Sequence, residues 1–415
     1  MAESMTDTEL GGILLTLRGV QWIMGTKGDP YALLLRSGSD DPDELGARIR
    51  DRGELWWSHA DTWVTGRYAI GRAVLDDPRL QARSATVEPI AAAQTERMPW
   101  DLPSLDQALP MDDAGLLLDR ADLANLAELW RFADADPDPG ELDALYNRAV
   151  SAPAGAYDLF ADVLAPTARQ ALARVLGLRG GAAEAFAAHA TAAAGALDAT
   201  VCPPQLSAAR RLRDALTDLR AVIDEALASP PPSGPLAVLA GADRRDAATL
   251  LTLHAVVGGE LAANLAGNTV ATLLDGGDWA RLTADPGLAG AAVRETERYC
   301  PPVRLRRLVA REQTEIAGAT VEPDAEVVVV LSSANRDPEV FTDPDRFDLG
   351  RHGLEPLTLA GLPGAIVAPL ARAQARAAVG ALAARRPGLA AAGPVLRRLR
   401  SPVTGGLLHL PVSTR

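Results

Sequence analysis

The run Glu295-Thr296-Glu297-Arg298-Tyr299-Cys300-Pro301-Pro302-Val303 decides the fold, together with the strings that follow it. These are Ala334-Asn335-Arg336-Asp337-Pro338, then Phe341-Thr342-Asp343-Pro344-Asp345-Arg346-Phe347-Asp348, and later Ala368-Pro369-Leu370-Ala371-Arg372. Residues 283–299 predict a helix that the proline pair 301–302 ends. Glu295 and Arg298 stand three apart on it and share one face. Alone they would read as a surface ion pair. The ordered strings behind them argue for a structural role instead.

Working outward, residues 246–274 form the longest helical candidate, with Asp246 as its expected N-cap. The segment is apolar nearly all round, which predicts a buried central helix. Residues 305–331 read as short strands, 335–364 as loop, 367–385 as a last helix, and a short sheet closes the chain. On the other side, Leu10, Ile13, Leu14 and Leu17 make one apolar stripe at helical spacing, extended by Trp22. Residues 55–65 suggest short strands carrying Trp56, Trp57 and Trp63, a cluster expected in the core. A helix over 67–76 stops at Asp77-Pro78, and residues 84–115 read as a long surface excursion. The stretch 116–230 is helical and alanine-rich. No internal repeat and no clean linker appears. The expectation is a single domain over 1–415, mainly α with small β sheets.

Composition narrows the function. The chain has 415 residues, 48% hydrophobic and 23% charged, which excludes disorder as the main state. A net charge of −13 makes nucleic acid an unexpected partner. Cys202 and Cys300 alone cannot build a disulfide framework or a thiolate cluster, and the five histidines show no metal spacing. The first residues lack signal-peptide character, and no run of about 18 apolar residues occurs, so a soluble, cytoplasmic protein without a membrane span is expected. No phosphate loop and no Gly-x-Ser-x-Gly elbow is present. Arg304, Arg306, Arg307 and Arg311 form a basic cluster, by itself either an edge of structural ion pairs or an anion site.

The ordered strings resemble the C-terminal half of a bacterial cytochrome P-450, a haem-thiolate monooxygenase. In that resemblance Glu295 and Arg298 match the family's buried Glu-x-x-Arg pair, and Asn335 and Arg336 belong to the meander that locks onto it. Arg307 matches an arginine for a haem propionate. The resemblance also exposes what is missing. A monooxygenase of this kind needs a thiolate on iron. The family's ligand loop aligns with Thr358 to Val367, where Ala365 holds the cysteine position, Pro363 the histidine, and Thr358 the shielding phenylalanine; only Gly361 remains. Residues 301–415 contain no cysteine at all. On the central helix Gly258 and Glu260 remain, but Leu261 replaces the hydroxyl of the acid–alcohol proton relay. Leu116 and Arg120 align with a His-x-x-x-Arg propionate motif. His254 reads as a hydrogen-bonded core histidine rather than an iron ligand.

The opening, Arg18-Gly19-Val20-Gln21-Trp22 with Gly28-Asp29-Pro30-Tyr31-Ala32, Asp40-Asp41-Pro42 and Trp63-Val64-Thr65, is similar to P-450-like activators of glycosyltransferases in macrolide and anthracycline antibiotic biosynthesis. That resemblance covers nearly the whole chain and is weakest over about 84–150. It implies a haem-free, non-catalytic protein with no cofactor. Such a protein binds and activates a transferase that moves a deoxysugar to a polyketide aglycone, in an assembly of two copies of each. Leu10, Ile13, Leu14, Leu17 and Trp22, within an N-terminal segment 1–30, are the expected partner contacts, with internal packing as the alternative. Two other functions stay open: a haem-binding or haem-independent enzyme using the old pocket, with Glu260 as its acid, and an aglycone-binding protein.

Overall fold

The computed structural model describes residues 5–82, 104–133, 138–152 and 155–414. Most of the excursion expected over 84–115 lies outside the described residues.

The central helix forms where the apolar pattern placed it, with a different start. Arg244–Leu253 opens it, and Asp243 is the cap, its carboxylate accepting from the N–H groups of Arg245 (2.9 Å) and Asp246 (3.1 Å). Asp246 sits in the first turn, favourable beside the helix dipole, and accepts from Asn125 Nδ2 at 2.6 Å. The helix widens into a π turn at His254–Gly258 and continues as Gly259–Asp275. It is long and apolar enough to cross a membrane by composition, yet its apolar window is wholly buried in the fold.

Two helical cores flank it. The larger packs the helices Asp7–Thr26, Arg120–Phe132, Ala165–Val175, Gly180–Ala192 and Leu206–Ala228 against its first half. The second packs Pro139–Ser151, Ala289–Tyr299 and Leu362–Arg385 against its second half. The helix expected over 283–299 is broken at Asp285-Pro286, because proline brings no N–H and Asp285 accepts from Gly287 N (3.0 Å) to start a new turn. The last helix starts at Leu362 rather than 367. Gly361 makes this abrupt start possible with a φ of 80°. The backbone at Pro363 and Ala365 is therefore helical, not loop.

The sheet joins distant parts of the chain. Trp56–Ser58 pairs antiparallel with Thr62–Thr65, which runs parallel to Glu326–Val329 with Val64 opposite Val328. Arg306–Ala310 and Leu80–Gln81 complete the five strands. The tryptophan cluster expected in the core is split: Trp56 and Trp63 are half-buried against it, while Trp57 is 48% exposed, edge-on to Trp63 at 5.1 Å between ring centres. An outer strand has only one covered face, so alternation alone does not bury it. A three-stranded sheet of Ala156–Asp158, Pro411–Thr414 and Leu389–Ala391 closes the chain.

Candidate functional site

Glu295 and Arg298 form a fully satisfied buried polar cluster. Both are buried, and Arg298 grips Glu295 through Nη2 (2.7 Å) and Nε (3.1 Å). Its remaining N–H groups donate to the carbonyls of Asn335 (3.2 Å), Pro344 (2.7 Å) and Arg346 (2.9 Å), so all five guanidinium donors are used. Asp348 N and Arg351 Nε also donate to Glu295, each at 3.1 Å. Asn335 donates to Glu297 O (3.2 Å) and Thr358 Oγ1 (2.7 Å), while its Oδ1 accepts from Leu357 N at 2.8 Å. Arg336 donates to Tyr299 O (2.9 Å), lies over the Tyr299 ring, and pairs with Asp43 and Asp345. The sequence did not single out Glu297, which is bound bidentately by Arg372 at 2.7 Å on both contacts. These residues hold the meander.

The place where the fold would hold haem is a cavity of about 150 Å³. Leu116, Leu253, Val257, Leu261, Leu359 and Gly364 are among its walls. That is well under the roughly 300–1,000 Å³ of ordinary small-molecule sites. Arg307 reaches it but is already paired with Asp106 and Glu326. Burial works against its charge; Glu326 and Asp106 outweigh burial and hold its pKa above the usual arginine value. A propionate there would meet two carboxylates. Thr358, in place of an apolar shield, donates to Glu297 O at 2.5 Å. With alanine at the ligand position and leucines around the cavity, the residues present do not fit a haem. Arg306 also lines the cavity, its pKa pushed down to about 10 by burial and by nearby Arg120. Among the described residues no cluster of His, Cys, Asp and Glu is arranged to hold a metal ion.

Glu260 is not a free acid. It pairs with Arg398 from the C-terminal loop and accepts from Gly195 N at 3.3 Å. One turn on, Asn264 Oδ1 accepts from Leu407 N (2.8 Å); one turn further, Asn268 Oδ1 accepts from Arg397 Nη2 (3.0 Å). The i, i+4, i+8 spacing puts these three on one face, and that face clamps the closing hairpin. Gly406 lies so close to the Arg398 guanidinium that a Cβ there would strike it. Asp198 completes the closure. Its buried carboxylate accepts from Val403 N, Thr404 N, Ser401 Oγ and Thr404 Oγ1 at 2.7–2.9 Å. Leu197, Thr200 and Val403, around this knot, all line the cavity. Sequence reasoning missed Asp198, Asp106 and Arg398, for nothing local marks them; the spacing of Glu260, Asn264 and Asn268 was a visible signal.

His254 is fully buried, as expected, but makes no hydrogen bond: both ring nitrogens lack a partner, and the ring lies against Trp130 at 3.8 Å between centres. Burial pushes its pKa down to about 3, so it is neutral. The expected partner stripe is corrected in part. Leu10 and Leu14 are buried, and Leu17 packs against the same core. Ile13 is half-buried. Trp22, 57% exposed, is the one of the five that faces outward, joined by Leu15 (65%) and Ile23 (59%). The stripe points inward because the amphipathic face of a surface helix buries against its own core first.

The helical architecture, the long central helix and the buried Glu-x-x-Arg clamp together define a cytochrome P450 fold. A Cytochrome P450 family model matches residues 287–355. The crystal structure of CYP164A2 from Mycobacterium smegmatis superposes with a TM-score of 0.75 at 26% identity, over 93% of this chain and 99% of that one. Protein AknT of Streptomyces galilaeus is 41% identical over 99% of this chain and 96% of its own length. Cytochrome P450 family protein EryCII of Saccharopolyspora erythraea is 33% identical over 98% and 99%. The chain belongs to the cytochrome P450 family, and it matches AknT and EryCII from end to end.

Proposed function

We propose that this protein is a non-catalytic member of the family that binds, stabilises and activates a glycosyltransferase moving a nucleotide-activated deoxysugar to a polyketide aglycone. The observation that carries the reading is the reassignment of every residue that oxygen chemistry would need. Arg307 is neutralised, Glu260 is clamped, the ligand position in the sequence holds alanine, and the cavity is only about 150 Å³. Full-length likeness to AknT and EryCII supports the same assignment. Activation then acts through binding: a protein that prefers the active conformer of its partner shifts the partner's population. A tenfold gain needs only about 1.4 kcal/mol of preference. Binding only the folded transferase also protects it by mass action.

The test is co-expression with a deoxysugar transferase, followed by assay of sugar transfer with and without this chain. Transfer should rise at least tenfold in its presence, and the purified chain should show no haem absorption after growth with a haem precursor. Substrate turnover by the chain alone, or transferase activity indifferent to it, would overturn the assignment.

A further inference from the structure

The outward face of the N-terminal helix Asp7–Thr26 carries Gly12, Leu15, Gly19, Trp22 and Thr26, all exposed and none charged, with the Arg36 guanidinium 4.6 Å over one side of the Trp22 ring. Their alternating spacing of three and four is that of a seam between two helices. Glycine is the poorest helix former after proline, yet a Cβ added at Gly12 or Gly19 would meet nothing within 4 Å. No contact inside the chain therefore requires either glycine. Their use lies in letting another helix come close.

The order of large and small residues identifies that helix. In an antiparallel pair with its two-fold axis beside Leu17, Trp22 of one copy lies over Gly12 of the other, and Leu15 lies over Gly19. Each knob thus meets a gap, twice over. The same axis places Lys27, the chain's one lysine and exposed, beside the first turn of the other copy, where Glu9 closes the capping box with Thr6 and Asp7 is paired with Arg210 of its own chain. Antiparallel helix dipoles add to the attraction. A parallel pair would set Trp22 against Trp22 and Lys27 against Lys27. We infer that the occupant of this face is a second copy of this chain, bound through the N-terminal helices in antiparallel register. The inference does not depend on the transferase.

Sedimentation of the isolated full chain tests it. A contact limited to one helix pair falls at the small end of specific interfaces, so a dimer at about 10–100 μM that dissociates on dilution is expected. The double variant G12Q/G19Q fills both gaps with better helix formers. It should fold with an unchanged or higher melting temperature and stay monomeric throughout that range. Mixing a Gly12→Cys chain with a Trp22→Cys chain should give an intermolecular disulfide under mild oxidation, and neither alone should do so. A wild-type chain that is monomeric at 100 μM overturns the inference. So does a dimeric G12Q/G19Q, or either cysteine variant cross-linking to itself. A monomeric wild type whose G12Q/G19Q form fails to activate a transferase would assign the face to the transferase instead.

Discussion

Arg298→Met tests the claim that the clamp holds the meander. Truncation removes the guanidinium donor to the carbonyls of Asn335 and Pro344, while Arg346 O keeps Arg351 Nη2 at 3.2 Å. Glu295 keeps Asp348 N and Arg351 Nε but loses its bidentate partner. Two orphaned acceptors, one buried at Asn335 and one part-buried at Pro344, at up to about 1–3 kcal/mol each agree with the roughly 3–5 kcal/mol for breaking one side of a buried ion pair. Against a total stability of about 5–15 kcal/mol, that is a large fraction. Urea unfolding followed by tryptophan fluorescence should show it, with Arg298→Lys losing less because it keeps the charge. The control is Arg72→Met: Arg72 pairs with Asp76 at 2.7 Å, but both side chains are more than half exposed, and such a pair is worth about 0–1 kcal/mol. Equal losses for the two methionine variants, or a loss below about 1 kcal/mol for Arg298→Met, refute the reasoning.

Three further outcomes follow from the site. His254 has a folded pKa of about 3 against 6.5 when unfolded, so the unfolded chain takes up this proton first as pH falls. The stability from burying it neutral is complete above pH 6.5 and drains away toward pH 3, on the order of 1.4 kcal/mol per unit. His254→Phe should flatten that acid slope in denaturation series across the window, and an unchanged slope counts against it. Ala365→Cys should leave the absorption spectrum without haem, since Arg307 stays neutralised and the cavity small; stoichiometric haem in that variant contradicts the fit argument. Asp198→Ala leaves the N–H groups of Val403 and Thr404 unpaired, while the Ser401 and Thr404 hydroxyls keep each other at 2.8 Å, so about 1–3 kcal/mol should be lost and proteolysis should begin within residues 400–406. Cleavage elsewhere first would argue that the knot is not what holds the loop.

How much of this was legible in the sequence follows from range. The Glu295–Arg298 pair lies within one helical turn, and the meander strings stand close behind it, so both were readable. The central helix was readable because its apolar surface is continuous, though its cap was placed three residues late. What stayed hidden joins residues far apart: Arg307 with Asp106, Glu260 with Arg398, and Asp198 with the loop at 401–404. Their partners are ordinary arginines, serines and acids until the fold brings them together. The N-terminal stripe was read as a stripe but left open between a partner contact and internal packing, because periodicity gives the faces of a helix and not which of them the core takes.

The ladder of Glu260, Asn264 and Asn268 bears on reversibility. These side chains now secure the closing hairpin, so any path back to oxygen activation would first have to release it. Regaining a thiolate at position 365 would be neutral at best until the acid was freed, and freeing the acid would loosen the hairpin before any activity repaid the loss. Each step back is penalised by itself. If the chain holds the proposed supporting role, its lineage meets a ratchet here, and one substitution cannot turn it.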